Sequence, residues 1–598
     1  MKKVLLFASL ILIPFITPVS GQVTILGSDS SQDIKISTSS NYTPEYWTLS
    51  ASGDKTINSI GLEGKMMEAS RFLSQASLGA DIETIRKVAD IGIEAWIDEQ
   101  VQLPQNQMLE RLEDVFAEVI EWYFLNGGDP EEVATRPYWP HFNYTWWENH
   151  MHSPDLLRQR VALALSEIFV ISYESELSDQ GYGLADFYDL LLKNSFGNFE
   201  DLLYDVSLHP CMGYYLSHLN NPREIPESNI HPDENYAREI MQLFSIGLFE
   251  LNPDGSRKTD IDGKWIPAYR QSDIKELAKV FTGLGVADVI ENEWVDEPYF
   301  GMGIYVADMT QPMVLWDFWH DPGTKMMLNG YEIPAGQPGL KDIRDAIHQL
   351  FLHPNVGPFI GKQLIQRLVT SNPSPAYISR VTAAFENNGQ GVRGDMVAVI
   401  KSILLDPEAR TCEALEDPGF GRLREPLTRY THFTKAIPME QYYGRYWNIG
   451  YGFYLATHQI PLASRTVFNF FLPDYQPIGP ISENELVGPE YQIHNSRTSV
   501  EYINQVNDWA VWGYIMDDWE QANPHTTYDI DDFRPLARDP EVLINRLDML
   551  FTHGSLSAYT RNLIKEAITP LIYDDYREDR IQLAMYLLLI SPDYNVMK

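Results

Sequence analysis

From Gly61 to the C-terminus, apolar residues recur at the spacing of an α-helix, and this periodicity constrains the fold more than any other feature. Met67, Phe72, Leu78, Ile82, Ile85, Val88 and Ile91 follow it, with a break at Leu78-Gly79. Leu157, Val161, Ala164, Leu165, Ile168 and Phe169 form one apolar face. Ser153-Pro154-Asp155 precedes that face, with Ser placed to cap, Pro to fill the first helical position and Asp to sit at the positive end. Further helices are expected from His231-Pro232-Asp233-Glu234 to Gly247, from Ser272-Asp273 to Gly283, and from His353-Pro354 towards Thr370. Four tripeptides, Leu208-His209-Pro210, Leu352-His353-Pro354, Leu405-Asp406-Pro407 and Ile590-Ser591-Pro592, each end an apolar run with a cap and a first-turn proline. Their spacing is too irregular for a solenoid. Hairpins are expected where turn formers cluster: Pro253-Asp254-Gly255 and Asp262-Gly263 within 251–268, and Asn329-Gly330 within 325–334. The expected fold is mainly α: one large multi-helix domain over residues 61–598 with small β-hairpin insertions.

The chain of 598 residues is 44% hydrophobic, enough for a large core without covalent staples. Its 83 acidic residues against 45 Lys and Arg give a formal charge of -38. That excess argues against nucleic acid, whose phosphates need cations, and against anionic lipid surfaces. Lys2 and Lys3 followed by the apolar run Val4–Ile16 and the small residues Val19-Ser20-Gly21 read as a signal peptide over 1–21, cleaved after Gly21. The run holds about 13 residues, short of the roughly 20 that span a bilayer. Gln22 is not Cys, which argues against a lipoprotein anchor at that site. Residues 22–60, rich in Ser, Thr, Asn and Asp, read as a flexible leader. Export to the periplasm or beyond is therefore expected, with no later stable membrane span. Cys211 and Cys412 either pair or act as two buried small hydrophobes.

The segment 231–247 carries the densest polar chemistry. At 100° per residue, Tyr236, Ala237, Ile240, Met241, Leu243 and Phe244 share one face. Asn235, Arg238, Glu239, Gln242 and Ser245 share the other, with Ile246 among them. Gly247 suits a left-handed stop, with Leu248 folding back on the helix. Glu239 is placed as an acid, base or ligand and Arg238 as an anion clamp; the ordinary alternative is a solvated face or a structural ion pair. His320-Asp321 is the second candidate, as a metal-binding pair or as the start of the Pro322-Gly323 turn. His141, His150 and His152 form no zinc spacing. Phosphate-loop, Gly-x-Ser-x-Gly and His-Glu-x-x-His signatures are absent, as is any nucleotide or flavin motif, which leaves the cofactor unknown, with a metal possible but not favoured. Asp260-Ile261-Asp262-Gly263 reads as a turn rather than a calcium loop, and Asp529–Asp532 as a solvated acidic patch. Arg158 and Arg160 sit at a helix start, where each needs a partner, expected to be a carboxylate. The aromatic run Trp139, Phe142, Tyr144, Trp146 and Trp147 suits a sugar-stacking face or, more ordinarily, core packing.

Several segments together resemble the bacterial domain-of-unknown-function family 1800. They are Ala69–Gly79, Leu157–Ser172, Asn235–Gly247 and Phe318–Lys325, then His353-Pro354 with Lys362 and Arg367, Val467–Tyr475, and Leu587–Tyr594. The likeness runs in order from about residue 65 to the end. It implies a large, mainly helical, exported bacterial protein and directs attention to Asn235, Arg238, Glu239, His320 and Asp321. It also implies, by association, a partner of domain-of-unknown-function family 1501, which resembles alkaline phosphatases. Two functions stay open: a non-catalytic envelope binding or assembly protein, for polysaccharide or a partner protein, and a hydrolase, metal-dependent or not, using Glu239 with His320 and Asp321.

Overall fold

The computed structural model describes residues 64–598 except 291, 293, 412–416, 442–444, 448–450, 514–525 and 572–576. The segments read from the sequence as a signal peptide (1–21) and a leader (22–60), and Cys412, lie outside the described residues. The fold is mainly α, with small two-stranded sheets between the helices. None of the described helices is long and apolar enough to cross a membrane.

Helix formation follows the caps, with shifted boundaries. Asp406, Ser591 and His209 each cap a short helix begun by proline, and each side chain accepts a backbone N–H two or three residues on. The fourth tripeptide differs. His353 Nδ1 accepts the Asn355 N–H at 3.1 Å, and the helix Val356–Leu368 starts two residues beyond Pro354, the expected first helical position. Ser153 is the C-cap of the aromatic helix Trp139–His152, and the next helix, Leu156–Ser166, has Asp155 at its N-cap. Two helices thus meet at a tight Ser-Pro-Asp corner instead of one starting at Ser153.

The aromatic helix is core, which settles the ambiguity in that run. Phe142, Tyr144, Trp146 and Trp147 are all buried, and Trp147 packs edge-on against Tyr430 at 5.0 Å. Truncating such a side chain to alanine costs about 3–5 kcal/mol through lost burial and the cavity left behind. One continuous apolar cluster runs from Met66 to Tyr594 through nearly every helix. Cys211 lies within it as a free thiol that burial pushes well above its ordinary pKa.

The local hairpin forms as the sequence predicts: Lys325–Met326 pairs with Glu332–Ile333, and Asn329 and Gly330 both take φ near +60° to +76°. Residues 249–267 form a meander, in which Lys258 N–H donates to the Glu250 carbonyl and Ile266 N–H to that of Lys258. Two sheets are not hairpins. Arg422–Leu423 pairs with Val596–Met597, tying the chain end back to the middle, and Met439–Gln441 pairs with Thr526–Tyr528.

A charged cluster crosses this core. Arg422 donates to Glu490 at 3.0 Å and also to Glu425. Gln459 donates to Glu425 at 2.6 Å. Arg367 lies 3.4 Å from Glu167. Arg160 donates to the Arg367 carbonyl, so its partner is a backbone oxygen where a carboxylate was expected. Arg158 does meet a carboxylate, Asp155, at 3.5 Å.

Candidate functional site

His320 is buried between two glycines that leave room for it. A Cβ on Gly283, at φ +81°, would stand 2.7 Å from the His320 nitrogen; one on Gly339 would stand 2.9 Å from the ring. Both ring nitrogens are engaged. Nδ1 lies 2.8 Å from the Thr282 carbonyl and Nε2 lies 3.1 Å from Asp342 Oδ2. The Lys325 ammonium, also buried, donates to the same Asp342 oxygen and to the Asp321 carbonyl at 2.6 Å. Thr282 Oγ1 accepts the Asp321 N–H at 2.9 Å and donates to the Lys279 carbonyl at 2.6 Å. Burial alone would raise the Asp342 carboxyl, but His320 and Lys325 outweigh it and hold it below the usual carboxylate range. Asp321 Oδ1 accepts the Gly323 N–H at 2.7 Å, the turn geometry expected of Asp before Pro-Gly. A metal ligand needs a free lone pair, and both His320 nitrogens already serve the fold. Among the described residues no group of three His, Cys, Asp or Glu side chains could hold a metal.

The cluster anchors the loop that contains it, and the loop presents aromatic rings. Phe318 is 68% exposed. Trp319 stacks on Phe300, with centroids 4.8 Å apart and planes 12° apart, and meets Phe318 edge-on at 5.1 Å. The Arg223 guanidinium lies 5.0 Å from the Phe318 ring, and its backbone N–H donates to the Trp319 carbonyl at 2.8 Å. Asn220 ties down the neighbouring loop by accepting the Gly301 N–H at 2.9 Å and donating to the Met302 carbonyl at 2.8 Å. That loop exposes Trp294 to 80% and Tyr299 to 53%. Asp296, Glu297 and Asp317 are exposed beside these rings in the chain. Stacked rings flanked by carboxylates can pack on the C–H face of a sugar while accepting hydrogen bonds from its hydroxyls.

The second candidate element is shorter than its sequence pattern. The helix spans Asn235–Gln242, and Asp233 Oδ1 accepts the Asn235 N–H at 2.8 Å. Gly247, at φ +72°, donates to the Met241 carbonyl at 3.0 Å, closing the helix as expected. Leu248 does not fold back; it is exposed, and the Phe359 ring packs on Gly247 instead. The polar stripe is divided. Asn235 is exposed, and Arg238 pairs with Glu234 at 3.2 Å, one turn back. Glu239, Ser245 and Ile246 are buried. Glu239 Oε2 has no hydrogen-bond partner among the described residues. Burial raises the Glu239 carboxyl above its ordinary pKa, with Arg238 opposing. Glu239 makes no hydrogen bond or ion pair with His320 or Asp321.

Thr282, Lys325 and Asp342 are the partners that sequence reasoning missed. Lys325 stands at the end of the Phe318–Lys325 segment, which is the only local signal for any of the three. Asp260 Oδ1 accepts the Asp262 and Lys264 N–H groups, both at 2.9 Å, so that motif is a turn.

A family model described as a protein of unknown function, DUF1800, matches residues 71–596. No curated protein and no solved structure matches the chain.

Proposed function

This chain belongs to the DUF1800 family, and from that premise we propose that it is an exported, non-catalytic binding protein of the cell envelope whose ligand is a neutral polysaccharide. The stacked shelf of Phe300, Trp319 and exposed Phe318 carries this reading. Burying an exposed aromatic ring against a sugar face releases water from apolar surface, which drives binding without a closed pocket. The formal charge of -38 favours neutral over acidic polymers through simple repulsion. The buried Lys325–His320–Asp342 cluster holds the loop in its ring-presenting shape before ligand arrives, which lowers the ordering cost of binding. The test is depletion of the purified chain from solution by insoluble neutral glycans, with a polyanionic glycan as control. Retention by a neutral polymer alone supports the proposal. Retention by none of them, or by the polyanion alone, overturns it.

One observation favours a second reading, a hydrolase. A buried carboxyl raised by desolvation, as at Glu239, holds its proton more readily than an exposed one, which suits the role of an acid. This reading expects the purified chain to cleave a glycan or ester, and Glu239→Gln to abolish the cleavage without unfolding. Undiminished activity in that variant would remove Glu239 from the reaction.

A further inference from the structure

Five arginines, Arg160, Arg367, Arg422, Arg424 and Arg429, are buried with three glutamates, Glu167, Glu425 and Glu490. Guanidinium groups stay charged in proteins, so this part of the core carries surplus positive charge even with every carboxyl ionised. The arginines without carboxylates show where the surplus lies. Arg424 donates from Nη1 to His432 Nδ1 at 2.6 Å and from Nη2 to His553 Nε2 at 2.9 Å. Each imidazole accepts on one nitrogen. His432 Nε2 faces the Leu550 carbonyl at 3.0 Å, and His553 Nδ1 faces Ser70 Oγ at 2.8 Å. Both rings are therefore neutral and supply no negative charge; burial, with Arg424 beside them, pushes both well below the ordinary histidine pKa. Among the described residues the Arg160 side chain donates to the Arg367 carbonyl, with Glu425 and Glu167 near enough to offset part of its charge. Arg160 Nη1 and Arg424 Nε have no acceptor among the described residues. Both side chains line one cavity of about 20 Å³, together with Arg422, His432, Ser77 and Thr428. Thr428 and Ser74, at the same cavity, are half-buried and give it a route to the surface. One water-sized sphere needs roughly 10–15 Å³, so the space admits a single-atom ligand.

We propose that this cavity binds one halide-sized anion, chloride in solution, between Arg160 and Arg424. Uncompensated charge in a low-dielectric core is costly, and an anion here supplies the missing countercharge to a cluster that joins segments from across the chain. The site is independent of the polysaccharide shelf.

The test is thermal unfolding of the purified chain in sodium chloride against sodium gluconate at fixed ionic strength, for wild type and Arg160→Gln. Gluconate is too large for the cavity. A wild-type Tm that rises with the logarithm of chloride concentration, and a variant whose Tm does not, support the site. The same Tm in both salts, or the same chloride dependence in both proteins, overturns it. Where Arg160→Gln fails to fold, crystals of the wild type soaked in bromide decide the matter. Anomalous density within hydrogen-bonding reach of Arg160 Nη1 and Arg424 Nε supports the proposal, and density only elsewhere overturns it.

Discussion

Two buried charge clusters of this molecule are built in opposite ways. The one around His320 is local. Lys325 and Asp342 are 17 residues apart and His320 and Thr282 are 38 apart. Its single carboxylate meets a single ammonium and an imidazole, and it holds one surface loop. The arginine cluster is long-range. Arg160 reaches the Arg367 carbonyl across 207 residues, and Gln459 meets Glu167 and Glu425 from a fourth segment. It holds more cations than carboxylates. A local, balanced cluster can shape a loop without governing the whole fold. A long-range, unbalanced one ties the global fold to whatever compensates its charge.

Acid should attack the buried core harder than the His320 loop. Burial lowers His141 and His218 to about 4, with backbone hydrogen bonds opposing in each case. A depressed histidine contributes stability that is fully present above the unfolded value of 6.5 and is lost as pH falls towards the folded value. Each shift corresponds to about 3 kcal/mol, so urea unfolding should report a loss of about 6 kcal/mol between pH 6.5 and 4 from these two groups alone. The neutral His432 and His553 beside Arg424 act in the same direction. Burial raises Glu490 to about 6 against the pull of Arg422, so its protonation opposes part of the loss. Flat stability over this range would contradict the assignment of neutral buried histidines.

Arg422→Met leaves both Glu425 and Glu490 without their cation. The expected destabilisation is about 5 kcal/mol, the upper end for breaking a buried pair, read as a shift in urea midpoint. Lys325→Met should cost less, about 3 kcal/mol, because His320 still serves Asp342. Its effect should concentrate on the loop, so that hydrogen exchange accelerates around residues 316–323 more than across the core. Equal acceleration everywhere would erase the distinction between the clusters. Phe318→Ala should change stability by less than about 0.5 kcal/mol, as expected of an exposed side chain outside the core. A large loss of Tm in this variant would show that the ring is structural.

What the sequence made legible was local. Helical periodicity located the helices, and polar-proline caps marked the starts at Pro210, Pro407 and Pro592. Asn329-Gly330 predicted a hairpin because few residues tolerate two consecutive left-handed positions. Periodicity failed where a second segment covers a polar face. Glu239 lies on the polar side of its helix by angle yet is buried, and Ser245, expected on the same side, lies beyond the helix end at Gln242 and is buried as well. Ser153 looked like a cap because its neighbours Pro154 and Asp155 suit a helix start, whereas the aromatic helix before it runs on to His152. The sequence marked Arg160 as a cation in need of a partner but not the cluster itself, since Arg160, Arg367 and Arg424 belong to different helices and loops whose meeting is decided by packing. Of the candidate residues, His320 and Asp321 occupy a meaningful place, but their partners Thr282 and Asp342 carried no spacing that could have named them.

The central claim is that the His320 cluster presents Phe318 and Trp319 to a neutral glycan. Calorimetric titration of wild type and Phe318→Ala with a soluble oligomer of whichever neutral glycan retains the wild type tests it most directly. The account predicts saturable binding by the wild type and at least about tenfold weaker binding by the variant, equivalent to about 1.4 kcal/mol, at unchanged Tm. Equal affinity in the two proteins would contradict it.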